Sequence, residues 1–336
     1  MEQRTLVTSA RGTSEQTASV VGLGTWQLGA DWGEVSETEA RGVLEASAEA
    51  GVTFYDTADV YGDGRSERII GRFLAAHPGA GFTVATKMGR RVEQVPENYV
   101  AANFRSWVDR SRTHLGVDTL DLVQLHCPPS ATIDSDRTYD ALDALVEDGS
   151  IAAYGVSVET SAQALSAIAR PHVASVQIIL NAFRLKPLDQ VLPAAQEAGV
   201  GVIARVPLAS GLLSGRYDRA TTFAPDDHRT YNREGSAFDV GETFSGVDFE
   251  TGVQAAQEFG RLVAAHAPEG VTPAQAAIAW IRQQPGVATV IPGARNPDQA
   301  RANAAAGDVG LLDEDLLAGV QDLYDARIRA EVHDRW

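Results

Sequence analysis

One cysteine, Cys127, is all the sequence has, so no disulfide can form within the chain and nothing in its cysteine usage points to an oxidising compartment. The 7 histidines are scattered and show no ligand spacing with Cys127, so no metal site is expected. Basic residues are in deficit: 28 Lys and Arg face 45 Asp and Glu, for a formal net charge of −17. That balance excludes nonspecific nucleic-acid binding, which needs a basic footprint to displace phosphate counterions. Long apolar runs are also missing. No stretch approaches the roughly 18 residues of a membrane span, and Met1-Glu2-Gln3-Arg4 leads into polar sequence without the apolar segment of a secretory signal. The location expected from these absences is the cytoplasm. A Gly-rich dinucleotide fingerprint is incomplete too: Gly22-Leu23-Gly24-Thr25-Trp26-Gln27 has Trp26-Gln27 where the third Gly belongs, which counts against a doubly wound sheet.

What remains is an ordinary globular composition, 44% hydrophobic and 22% charged. Short apolar runs recur at residues 20–26, 53–56, 82–87, 120–126, 151–157, 173–180, 200–205 and 288–291. Between them lie Ala-, Glu- and Leu-rich stretches with helical spacing, among them 37–50, 98–115, 139–147 and 162–169, and Gly51, Gly116, Gly149 and Gly199 stand where helix C-caps belong. Eight βα units without a linker-like break predict one α/β domain over residues 1–336, a (β/α)8 TIM barrel with a closed parallel sheet and outer helices. Residues 1–20 are expected to form a β-hairpin across the bottom of the barrel. Residues 215–246 form a long polar segment without periodicity after the seventh strand, and read as a lid on the cofactor side.

In such a barrel, chemistry collects at the C-terminal ends of the strands. Asp56, Lys87 and His126 end three successive strands, and Tyr61 follows in the loop after Asp56. An acid, an amine, an imidazole and a phenol therefore converge on one mouth. Each residue type alone has an ordinary structural role; their joint placement points to a site where a carbonyl accepts hydride. The alkoxide that forms needs a proton donor beside its oxygen. A tyrosine with its usual pKa of about 10 is a weak acid at neutrality. A nearby ammonium favours the phenolate, and an Asp beside the Lys keeps the amine charged and oriented. His126 supplies a second hydrogen bond to the carbonyl oxygen. Cys127 falls outside this set, because adjacent side chains at a strand end point to opposite faces. Far downstream, Ile291-Pro292-Gly293-Ala294-Arg295 reads as a phosphate site.

Phe54-Tyr55-Asp56-Thr57-Ala58, Tyr61-Gly62, Ser66-Glu67, Ala85-Thr86-Lys87, Gln124-Leu125-His126 and Ile291-Pro292-Gly293 resemble, in order and spacing, the signature segments of the aldo-keto reductases. The match covers nearly the whole chain and resembles bacterial NADPH-dependent members, on the branch that includes the voltage-gated potassium channel β subunits. The resemblance implies NADPH-dependent carbonyl reduction, with NADH less favoured. Carried across by position, Tyr61 is the implied general acid, Asp56 and Lys87 the pair that lowers its pKa, and His126 the orienting donor. Implied cofactor contacts include Thr25, Trp26 and Asp56, while Ser157 and Gln177 match positions that hydrogen-bond the nicotinamide amide. Pro207, Leu208 and Ser210 lie in a segment that resembles the pyrophosphate-wrapping loop, with Arg216 placed to pair with phosphate. Gly293, Arg295, Gln299 and Asn303 align with the adenosine and 2′-phosphate site. There the following helix N-terminus attracts an anion, and bidentate contact from Arg295 favours NADPH.

The sequence also departs from the family pattern. Val158 stands where many members carry Asn or Arg, and Gly293 where many carry Lys. Arg205 replaces the aromatic residue that commonly stacks on the nicotinamide ring. Either its guanidinium stacks as a plane and weakens NADP⁺ relative to NADPH, or it swings away to a phosphate or carboxylate. Trp26, Trp32, Tyr61 and His126 form the expected substrate pocket, an aromatic mouth for a small-molecule carbonyl compound, although tryptophan packing gives the same residues. Residues 328–336, with His333 and Trp336, either fold over this mouth or fray. Two functional classes follow: a reductase, whose chemistry also runs as alcohol oxidation, and a nicotinamide-binding regulatory or interaction subunit on the same scaffold. The intact His126 favours the reductase. Neither nucleic acid nor membrane is an expected partner, and oligomeric state is not legible in the sequence.

Overall fold

A computed structural model of the chain describes residues 1–29 and 35–336. The first two strands, β1 (Gln3–Val7) and β2 (Gln16–Ser19), pair antiparallel as a hairpin. Eight parallel strands follow: β3 (Leu23–Gly24), β4 (Phe54–Asp56), β5 (Thr83–Met88), β6 (Leu122–His126), β7 (Tyr154–Ser157), β8 (Val173–Ile179), β9 (Gly201–Arg205) and β10 (Val287–Val290). They lie side by side in chain order, and parallel bridges from Val21 to Val290 and from Gly24 to Gly293 bring the two edges together. The Gly22 amide donates to the Val290 carbonyl at 2.8 Å and the Val290 amide to the Val20 carbonyl at 3.1 Å, so the seam is hydrogen-bonded. The barrel and hairpin expected from the sequence are both present. The first apolar run is the exception in length: only Leu23–Gly24 is strand, and Trp26–Gly29 turns off as a 3-10 helix.

Period-two alternation explains how the barrel separates packing from chemistry. Phe54, Ala85, Leu122 and Ile203 point inward and, with Leu6, Val7 and Ala18 of the hairpin, form a buried apolar cluster. Their neighbours Tyr55, Val123, Val202 and Ala204 face outward and join the larger core beneath the helices. Two residues beyond the inner apolar layer, on the same face, stand Asp56, Lys87, Gln124 and Arg205. A polar layer therefore sits directly on an apolar plug. The hairpin is tied to the strand beginnings by Arg4, which donates to the Val287 carbonyl at 2.8 Å, and by Arg11, which donates to the Val173 carbonyl at 2.8 Å.

Helices Glu37–Glu49, Ala101–Leu115, Asp136–Glu147 and Ser161–Ile168 fall where helical spacing places them, within a few residues at the ends. Gly116 and Gly199 are C-caps in left-handed conformation, and capping boxes at Ser36, Thr160 and Thr272 fix three helix starts. Among the described residues, no helix is long and apolar enough to cross a membrane.

Candidate active site

Lys87, only 1% exposed, organises the polar layer. Its ammonium donates to Asp56 Oδ1 at 2.5 Å and to the Thr57 carbonyl at 2.8 Å, and stands 3.4 Å from the Tyr61 hydroxyl. All three of its protons thus have acceptors. The second Asp56 oxygen, Oδ2, accepts from Gln177 Nε2 at 2.7 Å and from Gln124 Nε2 at 3.1 Å. A buried ion pair is stable only when its remaining valences are met in this way. Burial alone would lower the Lys87 pKa, but Asp56 and Tyr61 raise it above the ordinary value, so the amine stays charged.

Tyr61 differs from expectation in one respect. Lys87 does pull its pKa down, but burial pushes harder the other way, with Asp56 and Glu242 adding to the rise, so the phenol lies above its ordinary value and keeps its proton at neutrality. The pair is correctly placed, and desolvation outweighs it. His126 presents its ring edge-on to Tyr61, with centroids 6.0 Å apart. Burial, together with Arg90, Lys87 and Arg205, holds its pKa well below 6.5, which leaves a neutral imidazole able to donate one hydrogen bond.

The segments around this centre are tied by hydroxyls. Ser66 Oγ donates to Thr25 Oγ1 at 2.9 Å and accepts from Thr57 Oγ1 at 2.9 Å, and Glu67 accepts from Thr86 Oγ1 at 2.7 Å. Gly62, with φ of +57°, brings the Tyr61 turn against Gly29, where a Cβ would collide with the Gly29 carbonyl.

A cavity of roughly 1520 Å³ opens at this centre. Thr25, Trp26, Asp56, Tyr61 and His126 line it together with Ser157, Gln177 and Arg205, with Pro207, Leu208, Ser210 and Arg216, and with Gly293, Arg295, Gln299 and Asn303. Every residue expected at the site is therefore brought together, except Lys87, which lies beneath Tyr61, and Trp32, which lies outside the described residues. Asn303 Nδ2 donates to the Gly293 carbonyl at 3.1 Å, and Asn296 caps the helix Pro297–Ala304. The Arg216 and Arg295 side chains are exposed, and the cavity volume exceeds what a compact ligand alone needs and leaves room for a dinucleotide.

Arg205 has taken the carboxylate alternative. It donates to Glu159 Oε2 at 2.9 Å and the Val158 carbonyl at 3.0 Å, and pairs with Glu242 Oε1 at 2.5 Å, while Arg90 pairs with Glu159 Oε1 at 3.2 Å. Two arginines and two glutamates balance in charge, so Arg205 does not present an uncompensated cation to a neighbouring ring. The expected result for Arg205→Trp is accordingly a loss of about 3–5 kcal/mol of stability, from carboxylates left buried without their cation, with little change in the ratio of NADP⁺ to NADPH dissociation constants. Denaturant melts and fluorescence titrations check the two halves; a strongly shifted ratio in a fully stable variant would contradict this.

Cys127 also departs from expectation. It lines the cavity beside His126 rather than facing away, because its φ of +51° takes it out of the strand pattern on which alternation depends. Burial, with Glu159, pushes its thiol up to about 12, so it is not a thiolate nucleophile.

Residues 215–246 contribute to the wall of the cavity. Tyr217, Arg229, Tyr231, Phe238 and Glu242 line it, and Asn232 braces the segment by accepting from the Ala237 and Phe238 amides at 3.0 and 2.9 Å. Trp26 is held between Tyr61, with ring centroids 6.0 Å apart, and Phe238, at 5.7 Å, so it combines pocket-lining with packing. Trp336 stacks on Arg184 at 3.9 Å and donates to Asp239 Oδ1 at 3.0 Å. The end of the chain thus packs against residues 215–246 and lines no part of the cavity. Arg90, Gln124, Glu159 and Glu242 are the site residues that motif reading missed. Gln124 and Glu159 follow from continuing the inner-face pattern through β6 and past β7; nothing in the sequence marks Arg90 or Glu242.

Comparison with known proteins agrees with this geometry. The Aldo/keto reductase family model matches residues 20–325. The uncharacterized oxidoreductase YqkF of Bacillus subtilis is 28% identical over 94% of this chain and 97% of its own. Among solved structures, the glycerol dehydrogenase AKR11B4 from Gluconobacter oxydans superposes with a TM-score of 0.75 at 30% identity, covering 93% of both chains. The holo form of aldo-keto reductase AKR11C1 from Bacillus halodurans gives 0.74 at 25% identity over 99% of both.

Proposed function

Because the chain belongs to the aldo/keto reductase family, we propose that it reduces the carbonyl of a small aldehyde or ketone with NADPH, Tyr61 acting as the proton donor. The observation that carries this reading is the Tyr61 hydroxyl 3.4 Å from a buried Lys87 ammonium whose other protons are held by Asp56 and Thr57. NADPH, when bound, supplies the hydride. The chain's own residues supply the rest. Tyr61 gives its proton to the oxygen that gains charge, and Lys87 stabilises the phenolate left behind. Asp56 keeps Lys87 in place, held in turn by Gln124 and Gln177. His126, neutral, donates the second hydrogen bond to the substrate oxygen, while Trp26 and Phe238 wall the mouth against water.

Ser157 and Gln177 are the residues we assign to the nicotinamide amide, and Arg216, Arg295, Gln299 and Asn303 to the phosphates and adenosine. Two exposed guanidiniums among the lining residues, Arg216 and Arg295, favour the extra phosphate of NADPH over NADH. The Gluconobacter neighbour is named for glycerol, and the polar wall of Arg90, Glu159 and Glu242 suits a small hydroxylated carbonyl compound. We read residues 1–336 as one domain. Loss of NADPH absorbance with a panel of aldehydes, ketones and quinones, run beside NADH, tests the proposal. The expected outcome is turnover that selects NADPH by about tenfold or more; tight NADPH binding without turnover across the panel would instead mark a regulatory subunit.

A further inference from the structure

Asp59 lies between Asp56 and Tyr61, and the chemistry above makes no use of it. The residue is 0% exposed, and neither carboxylate oxygen completes a well-formed hydrogen bond among the described residues, the Val60 amide acting on it only weakly. The other buried acids nearby are well served: Asp56 accepts from three donors, and Glu67 accepts from Thr86 at 2.7 Å and contacts His114 Nδ1 at 2.9 Å. The cations near Asp59 are committed elsewhere. Arg91 and Arg110 donate to Asp63 Oδ1 at 2.5 and 2.7 Å, and reach Asp59 only at its backbone carbonyl, at 3.5 and 3.4 Å. A charge left buried without partners is strongly unfavourable, so this placement selects the neutral acid.

The turn that carries it has little room to give. The Asp59 amide donates to the Lys87 carbonyl and the Tyr61 amide to the Ala58 carbonyl, both at 3.1 Å. Gly62, Asp63 and Gly64 follow with φ of +57°, +50° and +81°. We propose that Asp59 is a positioning residue for Tyr61: as a neutral acid it leaves undisturbed the backbone-held turn that sets the phenol 3.4 Å from Lys87, and as a carboxylate it draws Arg91 or Arg110 inward and displaces that turn. The proposal rests on the reading of Tyr61 as proton donor.

Several charged or titratable groups face Asp59. They are Glu67 from the helix Arg65–Ala76, Arg91 after β5, Arg110 from the helix Ala101–Leu115, and Tyr99 ahead of that helix. Burial and then Glu67 push its carboxyl from 3.8 up to about 7, against Arg91, Arg110 and the Val60 amide, which lower it. A carboxyl raised on folding supports the fold in full below its unfolded value of 3.8, and that support is lost as pH rises through about 7.

Asp59→Asn, an isostere fixed in the neutral form, is the test, on the full chain. Its Tm should gain on the wild type by about 4 °C between about pH 5 and about pH 8. Trp26 stacks on Tyr61 with centroids 6.0 Å apart, so its emission reports the turn without any turnover. The wild type should show an emission change centred at about pH 7, absent from both Asp59→Asn and Trp26→Phe. Wild-type kcat should fall about tenfold between about pH 6 and about pH 8.5 with KM for NADPH unchanged, while the Asn variant stays level. Parallel Tm curves, or an emission change that persists in Asp59→Asn, overturn the proposal. Should Asp59→Asn fail to fold, Glu67→Gln decides: removing that charge should move the emission midpoint down by about one pH unit, and an unmoved midpoint overturns it. Absent carbonyl turnover in every protein would count against the reductase reading alone.

Discussion

Tyr61→Phe is expected to lower kcat for carbonyl reduction by about 10²- to 10⁴-fold, the range typical of a lost general acid, while leaving the NADPH dissociation constant nearly unchanged. The substitution removes one atom. The ring stays stacked on Trp26 at 19° between planes and edge-on to His126, so the shape of the mouth persists. Lys87 keeps Asp56 and Thr57 as acceptors and loses only the 3.4 Å contact to the hydroxyl. What disappears is the proton that must reach the alkoxide. Because burial holds the phenol above its ordinary 10.0, the wild type should retain Tyr61 protonated throughout the neutral range. Stopped-flow traces for the chemical step and fluorescence titration for binding separate the two effects. A variant that keeps most of its rate would remove Tyr61 from the mechanism.

Lys87→Met should act on stability as well as on rate. The charge it removes is the one that compensates Asp56, which is 2% exposed and would remain inside the barrel with only Gln124 and Gln177 as donors. Breaking a buried pair from one side is destabilising by about 3–5 kcal/mol, and a thioether can neither hold Tyr61 nor stabilise its phenolate. Carbonyl turnover should fall to background. The double variant Lys87→Met with Asp56→Asn should recover part of the lost stability and none of the activity, because no charge is then left unpaired. Denaturant midpoints measured on the single and double variants check this. Equal stability of the single variant and the wild type would mean that the Lys87–Asp56 contact does not hold the fold.

The features that could be read from the sequence are those governed by local periodicity. Alternation along β4, β5 and β6 places Asp56, Lys87 and His126 on one inner face, and the spacing of apolar runs gives the barrel. Alternation stops being a guide where the backbone leaves the strand. Cys127 has a positive φ and turns into the cavity, and β3 shortens to Leu23–Gly24 because its apolar run continues as a 3-10 turn. Long-range pairing was not legible either. Nothing near Arg205 or Glu242 in the sequence announces their 2.5 Å ion pair, and nothing near Trp336 announces its stacking on Arg184. The Tyr61 pKa was read from its charged neighbours, which the motif supplies. Its direction is set by burial, which only the fold supplies.

The most direct measurement is deuterium transfer from NADPH labelled at nicotinamide C4 to a small carbonyl substrate, followed by mass spectrometry in the wild type and Tyr61→Phe. With both C4 hydrogens replaced, one deuterium is expected on the alcohol carbon from the wild type, formed about 10²-fold or more slowly by the variant. Product without deuterium, or equal rates from the two proteins, would contradict this mechanism.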